Sequence, residues 1–351
     1  MAQGVSRRPP SRFLLLVLAA ALPLLLAVVL LQLIAPAAPQ VGPADLAALA
    51  PVKVRPYLPG ALAYAALILV HLLACATAIT LAALTLRVGP RGRAFALTGL
   101  LMTLGLAIAI LLLRATSDSG FAALRVSYGG IRDLLAASGA AGELVLPMAG
   151  PLTPLALSAY AATVAGIAAV SLTAAAAASQ VWNLYGPQRL SEEDAEARLC
   201  LVNARIRRCA YALSLVLVTS TVSASHFFGL PARALARVNL DKPLIPPASP
   251  ALLEATQARL AEMASELTFF WAAVYTLTLI AAVGIPLLLV QKQAHEFLEA
   301  LRPPERALET RRRLSEAGAL SGGGEQAKML LAFVAPLLSA PVTNLLQAAT
   351  G

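Results

Sequence analysis

Apolar residues run along this chain in long unbroken blocks, with the polar and charged positions gathered between them. Six blocks contain no Asp, Glu, Lys or Arg: Phe13–Ala35, Ala61–Leu86, Ala94–Leu113, Leu155–Val181, Cys209–Leu230 and Leu267–Val290. Each meets the roughly 20 residues that a helix needs to cross a bilayer core. A single charge at mid-helix would cost about 2.5–3.5 kcal/mol on insertion. Only a helix or a closed barrel satisfies its own backbone in lipid. The pattern predicts an all-α fold, a polytopic integral membrane protein whose six-helix transmembrane bundle is built as three hairpins with short helical extramembrane segments.

The polar intervals complete the plan. A basic tail, 1–12, precedes the bundle of 13–290. Outer loops fall at 36–60, 114–154 and 231–266, and a helical cytoplasmic tail at 291–351. The first block follows Arg7, Arg8 and Arg12 and ends at a small-residue sequence, Ala35-Pro36-Ala37. It is longer than the 7–15 apolar residues of a cleaved signal. An uncleaved first span is expected.

Local patterns sharpen several intervals. In the second outer loop, Phe121, Leu124, Tyr128, Ile131 and Leu135 recur at helical spacing. In the third, Ser249 is a good N-cap and Pro250 suits a first helical position. From there an apolar stripe runs without a breaker into the sixth block, so one helix from Pro250 to Val290 is expected. It would pack on the second-loop helix as a small outer cap. On the other side, Ser191 with Glu192, Glu193 and Asp194 starts a helix that should continue into the fifth block. Pro23 and the pair Gly284 and Pro286 are kink sites. The segment Met329–Leu346 is apolar but interrupted by Pro336 and Pro341. It is expected to lie on the membrane face or against the cytoplasmic helices, with a seventh span as the alternative.

Composition agrees. Of 351 residues, 59% are hydrophobic and 13% charged, against about 45–50% and about 25% in soluble domains. The net charge is +9. Its placement matters more than its size. With the N-terminus inside, eighteen of the 27 Lys and Arg fall in inside segments and nine outside. That bias predicts cytoplasmic N- and C-termini in a cytoplasmic (inner) membrane. Trp182 and Trp271 then sit at opposite boundaries. The basic excess belongs to the membrane and not to nucleic acid. The three cysteines are too dispersed for a disulfide framework or a shared metal.

Candidate chemistry is thin. His71 and His226 are the imidazoles within spans, and intramembrane ionisable groups are functional candidates by default. A bis-histidine haem is disfavoured, because the two lie at different depths. Thr221, Ser225 and their neighbours make the fifth block the most polar membrane surface, able either to line an outward path or to bond to its own backbone. Ser158, Ala162 and Gly166 form a small-residue stripe suited to close helix packing or self-association. His295-Glu296 lacks the second histidine of a zinc-protease helix. Gly322-Gly323-Gly324 lacks the ending of a phosphate loop. No catalytic, metal or cofactor residue is assigned. The expected function is a non-enzymatic sensor, scaffold or assembly subunit, in contact with the lipid bilayer and with a protein partner or a second copy. The alternative is a transporter or channel with a polar path near His226.

Overall fold

The computed structural model describes residues 11–34, 58–88, 91–116, 154–185, 191–236, 250–301, 303–320 and 323–350. Among the described residues the structure is helical, without strands. In chain order the helices are α1 (Ser11–Ala19), α2 (Leu22–Ile34), α3 (Leu58–Arg87), α4 (Gly92–Thr116), α5 (Pro154–Leu184), α6 (Glu192–Ala236) and α7 (Pro250–Leu279). A π-turn, Ile280–Gly284, joins α7 to α8 (Ile285–Ala300), and α9 (Pro304–Glu316) and α10 (Gly323–Thr350) follow. Among the described residues six helical segments are long and apolar enough to cross a membrane, and each overlaps one of the six apolar blocks. The first outer loop and the helix expected at 121–135 lie outside the described residues, as does the packing of the outer cap.

The exposed faces are apolar, as suits helices long enough to cross a membrane. On α3, Tyr64, Ile68, His71, Cys75, Ala78 and Ala82 are buried at alternating spacings of four and three. The opposite face carries Leu69 and Leu73, 68% and 69% exposed. A helix apolar on both faces belongs in a core or a membrane. Leu97, Leu100, Leu101 and Leu104 do the same on α4.

α5 is the hub. It packs against α1, α3, α4, α6 and α8. Ala174, Ala175, Ala176, Ala177 and Ala178 are all buried, although consecutive residues face every direction around a helix. Only a run of alanines lets so many neighbours approach one axis.

The two kink sites have distinct outcomes. Pro23 has no N–H for the Ala19 carbonyl, and the first span breaks into α1 and α2 at Ala20–Ala21, closed by bonds from Ala20 N to Val17 O (3.2 Å) and Ala21 N to Leu18 O (3.0 Å). In the sixth span the ring of Pro286 is accommodated by a π-turn. There the Ile285 N–H donates to Ile280 O, and the helix continues.

Two helical paths are well beyond the length that a bilayer core requires. α6 has 45 residues, about 67 Å at about 1.5 Å per residue. Its start is capped as expected: the Asp194 N–H donates to Ser191 Oγ at 3.1 Å, and that hydroxyl donates to Asp194 Oδ2 at 2.6 Å. The path starting at Pro250 continues beyond Val290 to Ala300. α9 lies along the first turns of α6, through Arg306–Glu192 at 3.1 Å and Arg313–Glu196 at 3.2 Å, with Leu314 buried beneath.

α10 continues through both Pro336 and Pro341 and packs on α6 and α7. The sequence pattern predicts interruptions at these prolines, and at Pro336 a side chain on another helix offsets the lost bond. Pro336 lacks the N–H that would bond the Ala332 carbonyl, and Ser214 Oγ of α6 donates to that oxygen at 2.7 Å.

Candidate functional site

The polar groups of the fifth span meet the second span along one seam. Seven residues are about two helical turns, so Tyr64 and His71 share a face of α3, as His226 and Thr219 do on α6. The helices pair antiparallel. The rings of Tyr64 and His226 stack with centroids 6.5 Å apart and planes 7° from parallel. Ser223 Oγ donates to Leu67 O at 3.4 Å. His71 Nδ1 lies 3.0 Å from Thr219 Oγ1. The same register ends, towards the C-terminus of α3, with Thr85 Oγ1 at 3.9 Å from Cys209 Sγ.

His71 is the centre of this seam, 3% exposed. Its Nε2 lies 3.3 Å from Ala162 O on α5 and 3.4 Å from Cys75 Sγ. The Thr219 hydroxyl also reaches Leu215 O at 3.0 Å and Val216 O at 2.9 Å. Both neutral tautomers are therefore satisfied. With the proton on Nδ1, the ring donates to Thr219, whose own proton goes to its backbone, and Nε2 accepts from the Cys75 thiol. With the proton on Nε2, the ring donates to Ala162 O and accepts from Thr219. A neutral His71 thus links α3 to α6 in either tautomer, and to α5 as well when the proton is on Nε2. Cys75 is buried as well, so the Cys–His pair is covered and presents no nucleophile to a substrate.

The small-residue stripe serves the same joint. Ala162 supplies the carbonyl, and a Cβ added at Gly166 would lie 3.5 Å from His71 Nε2. Two of the three stripe residues thus face α3 of the same chain. The side chain of Ser158 lies outside the described residues.

The remaining hydroxyls of α6 go different ways. Thr221 is fully buried and donates to Leu217 O at 2.9 Å. Ser225 is buried too. Ser220 bonds with Tyr275 on α7, and Ser214 serves α10. The His226 backbone carbonyl accepts from the Arg233 guanidinium. The two histidines do not meet: His71 engages Thr219 of α6, and His226, seven residues or about 10 Å further along that helix, stacks on Tyr64 of α3. Among the described residues no group of three or more His, Cys, Asp or Glu is arranged to hold a metal ion.

A second polar cluster, at the end of the bundle where α3 and α5 finish, is not evident from the sequence pattern. Gln180 is fully buried. Its Nε2 donates to Thr85 O at 3.2 Å and its Oε1 accepts from Arg205 Nη1 at 3.3 Å, so it ties α3, α5 and α6 together. Nearby the Arg91 guanidinium sits 4.9 Å above the Trp182 ring. Asn203 Nδ2 donates to Ala317 O at 3.2 Å, holding the turn after α9 against α6. A signal was available: Gln180 and Asn183 are amides at the end of an alanine run, where an uncharged hydrogen-bonding group in a helix interior asks for a partner.

No protein-family model matches the chain, and no curated protein or solved structure is significantly similar to it.

Proposed function

We propose that this is a multi-pass protein of the cytoplasmic membrane, with its N-terminus and basic loops inside, that works as a scaffold or assembly subunit for a protein partner and not as a catalyst. The observation that carries the reading is the continuity of α6 and of the α7–α8 path. Both leave the spanning bundle as rigid rods, and α9 is clamped across the first turns of α6 by Arg306–Glu192 and Arg313–Glu196. They make a helical platform on the basic side, presenting exposed Arg208, Lys292, Arg311 and Arg312. Within the bundle, His71, Gln180, Ser214 and Ser223 bond to neighbouring helices, which suits a fixed bundle that displays a surface.

The test is purification of the full chain in mild detergent, followed by mass spectrometry of what accompanies it. A stoichiometric protein partner, lost when Arg311 and Arg312 are both changed to Glu, supports the reading. Solute flux in reconstituted vesicles that falls in a His226→Ala variant, with no partner retained, would replace it by the transport reading.

A further inference from the structure

α10 begins on the cytoplasmic side of the bundle and does not stay there. Its approach is fixed by the turn 317–320, where Asn203 of α6 holds Ala317 O and Ala319 and Leu320 are buried. Further along, Ser214 of α6 holds Ala332 O. Both chain numbers rise together, so α10 runs parallel to α6, in the direction in which α6 enters and crosses the membrane. A second neighbour gives the same direction. A Cβ on Gly284, in the π-turn, would lie 3.5 Å from Phe333 Cζ. From that level α10 packs along α7, which lies outward of the π-turn, and not along α8, which lies inward.

The surface chemistry of α10 is that of a spanning helix. Pro336, Ala340 and Thr343 are buried at spacings of four and three. The other face carries Leu330, Leu331, Leu338 and Val342, between 49% and 63% exposed. A helix lying on the membrane surface would turn charged side chains outward. After Lys328 the sequence Met329–Thr350 contains no ionisable side chain. As a helix it measures about 33 Å, enough for a hydrocarbon core of about 30 Å. Its hydroxyls are spent on its own backbone, Ser339 Oγ on Pro336 O at 2.6 Å and Thr343 Oγ1 on Ser339 O at 2.6 Å. The carbonyl freed by Pro336 is the one that Ser214 takes. Prolines are tolerated in membrane helices when neighbouring hydroxyls satisfy the freed backbone in this way.

We infer that α10 is a seventh crossing of the membrane, seated in the groove between α6 and α7, so that residues 320 and 350 face opposite compartments. The last basic residues before it, Arg311, Arg312, Arg313 and Lys328, remain on the side of α9, and translocation of the segment carries no charged side chain across.

Two full-length variants test this, Ser321→Cys and Thr350→Cys, each in a chain whose three native cysteines are replaced by Ala. Each is labelled with a membrane-impermeant maleimide in intact spheroplasts and in inverted vesicles. Labelling of the two positions from opposite sides is the expected result. If position 321 labels from outside and position 350 from inside, the crossing stands and the orientation proposed above fails. Labelling of both from one side, or no labelling of position 350 from either, overturns the crossing. An alkaline phosphatase fused after Gly351 of the unaltered chain repeats the measurement with the native cysteines in place, since the enzyme is active only where its disulfides form. Activity is expected, and an inactive fusion with an intact, expressed chain counts against the inference.

Discussion

The contact between Ser214 and the Ala332 carbonyl permits a quantitative test of why α10 survives its first proline. Ser214→Ala removes the donor and leaves a carbonyl that Pro336 has already deprived of its helical partner. Polar contacts between membrane helices average about 0.6 kcal/mol and reach about 1.7 kcal/mol. Leaving a buried acceptor without any bond costs about 1–3 kcal/mol. Ser214 is 7% exposed, so water does not easily take its place. We expect a loss of about 1–2 kcal/mol. In a Pro336→Ala background residue 336 regains its N–H, the helix bonds Ala332 O internally, and Ser214→Ala should then cost under about 0.5 kcal/mol. The double-mutant cycle therefore predicts a coupling of about 1 kcal/mol, larger than the roughly 0.3–0.5 kcal/mol scatter of independent sites. Unfolding by SDS in mixed micelles, followed through Trp182 and Trp271, measures all four proteins. Equal costs of Ser214→Ala in the two backgrounds would refute the idea that the hydroxyl compensates for the proline.

Glycine substitutions give a contrasting pair. A Cβ at Gly99 would press to 3.1 Å on Ser171 O and 3.2 Å on Ala175 Cβ, whereas one at Gly166 makes only an ordinary contact with His71. Gly99→Ala should destabilise the bundle by about 1–3 kcal/mol, and Gly166→Ala should leave it unchanged or add up to about 1 kcal/mol from helix propensity, as read by the same SDS titration. At Gly318, whose φ is 68°, Gly318→Val should cost at least about 1–2 kcal/mol and Gly318→Asn clearly less, because Asn tolerates the left-handed region; trypsin cleavage at Arg311–Arg313 reports the loosening of the turn. Glu196→Gln weakens the docking of α9 by removing the carboxylate shared by Arg313 and Thr310. Since Arg313 is half exposed, the effect should be about 0.5–1 kcal/mol and should shrink in 0.5 M salt, which proteolysis rates at two ionic strengths will follow. His71→Ala removes bonds to two other helices and leaves a void, and should cost about 2–4 kcal/mol, partly recovered in His71→Gln.

The chain alone determined the six apolar rods, the cap at Ser191, the start at Pro250 and the positions of the breaks. These follow from local causes: length without charge, a hydroxyl before an acidic turn, a missing N–H. Tertiary structure decided which polar groups find each other. Nothing near His71 in sequence names Thr219 or Ala162, and nothing near Gln180 names Arg205 or the Thr85 carbonyl. In the sequence His226 adjoins the polar fifth block and His71 stands apart in the second. Folded, His71 is a sealed cross-link, while the other hydroxyls of α6 are divided among several helices. Proline carries the clearest lesson. The same missing hydrogen bond breaks the first span at Pro23, yields a π-turn before Pro286 and leaves α10 continuous at Pro336. The residue sets the defect, and at Pro336 the donor that offsets it comes from Ser214, a neighbour known only once the helices are packed.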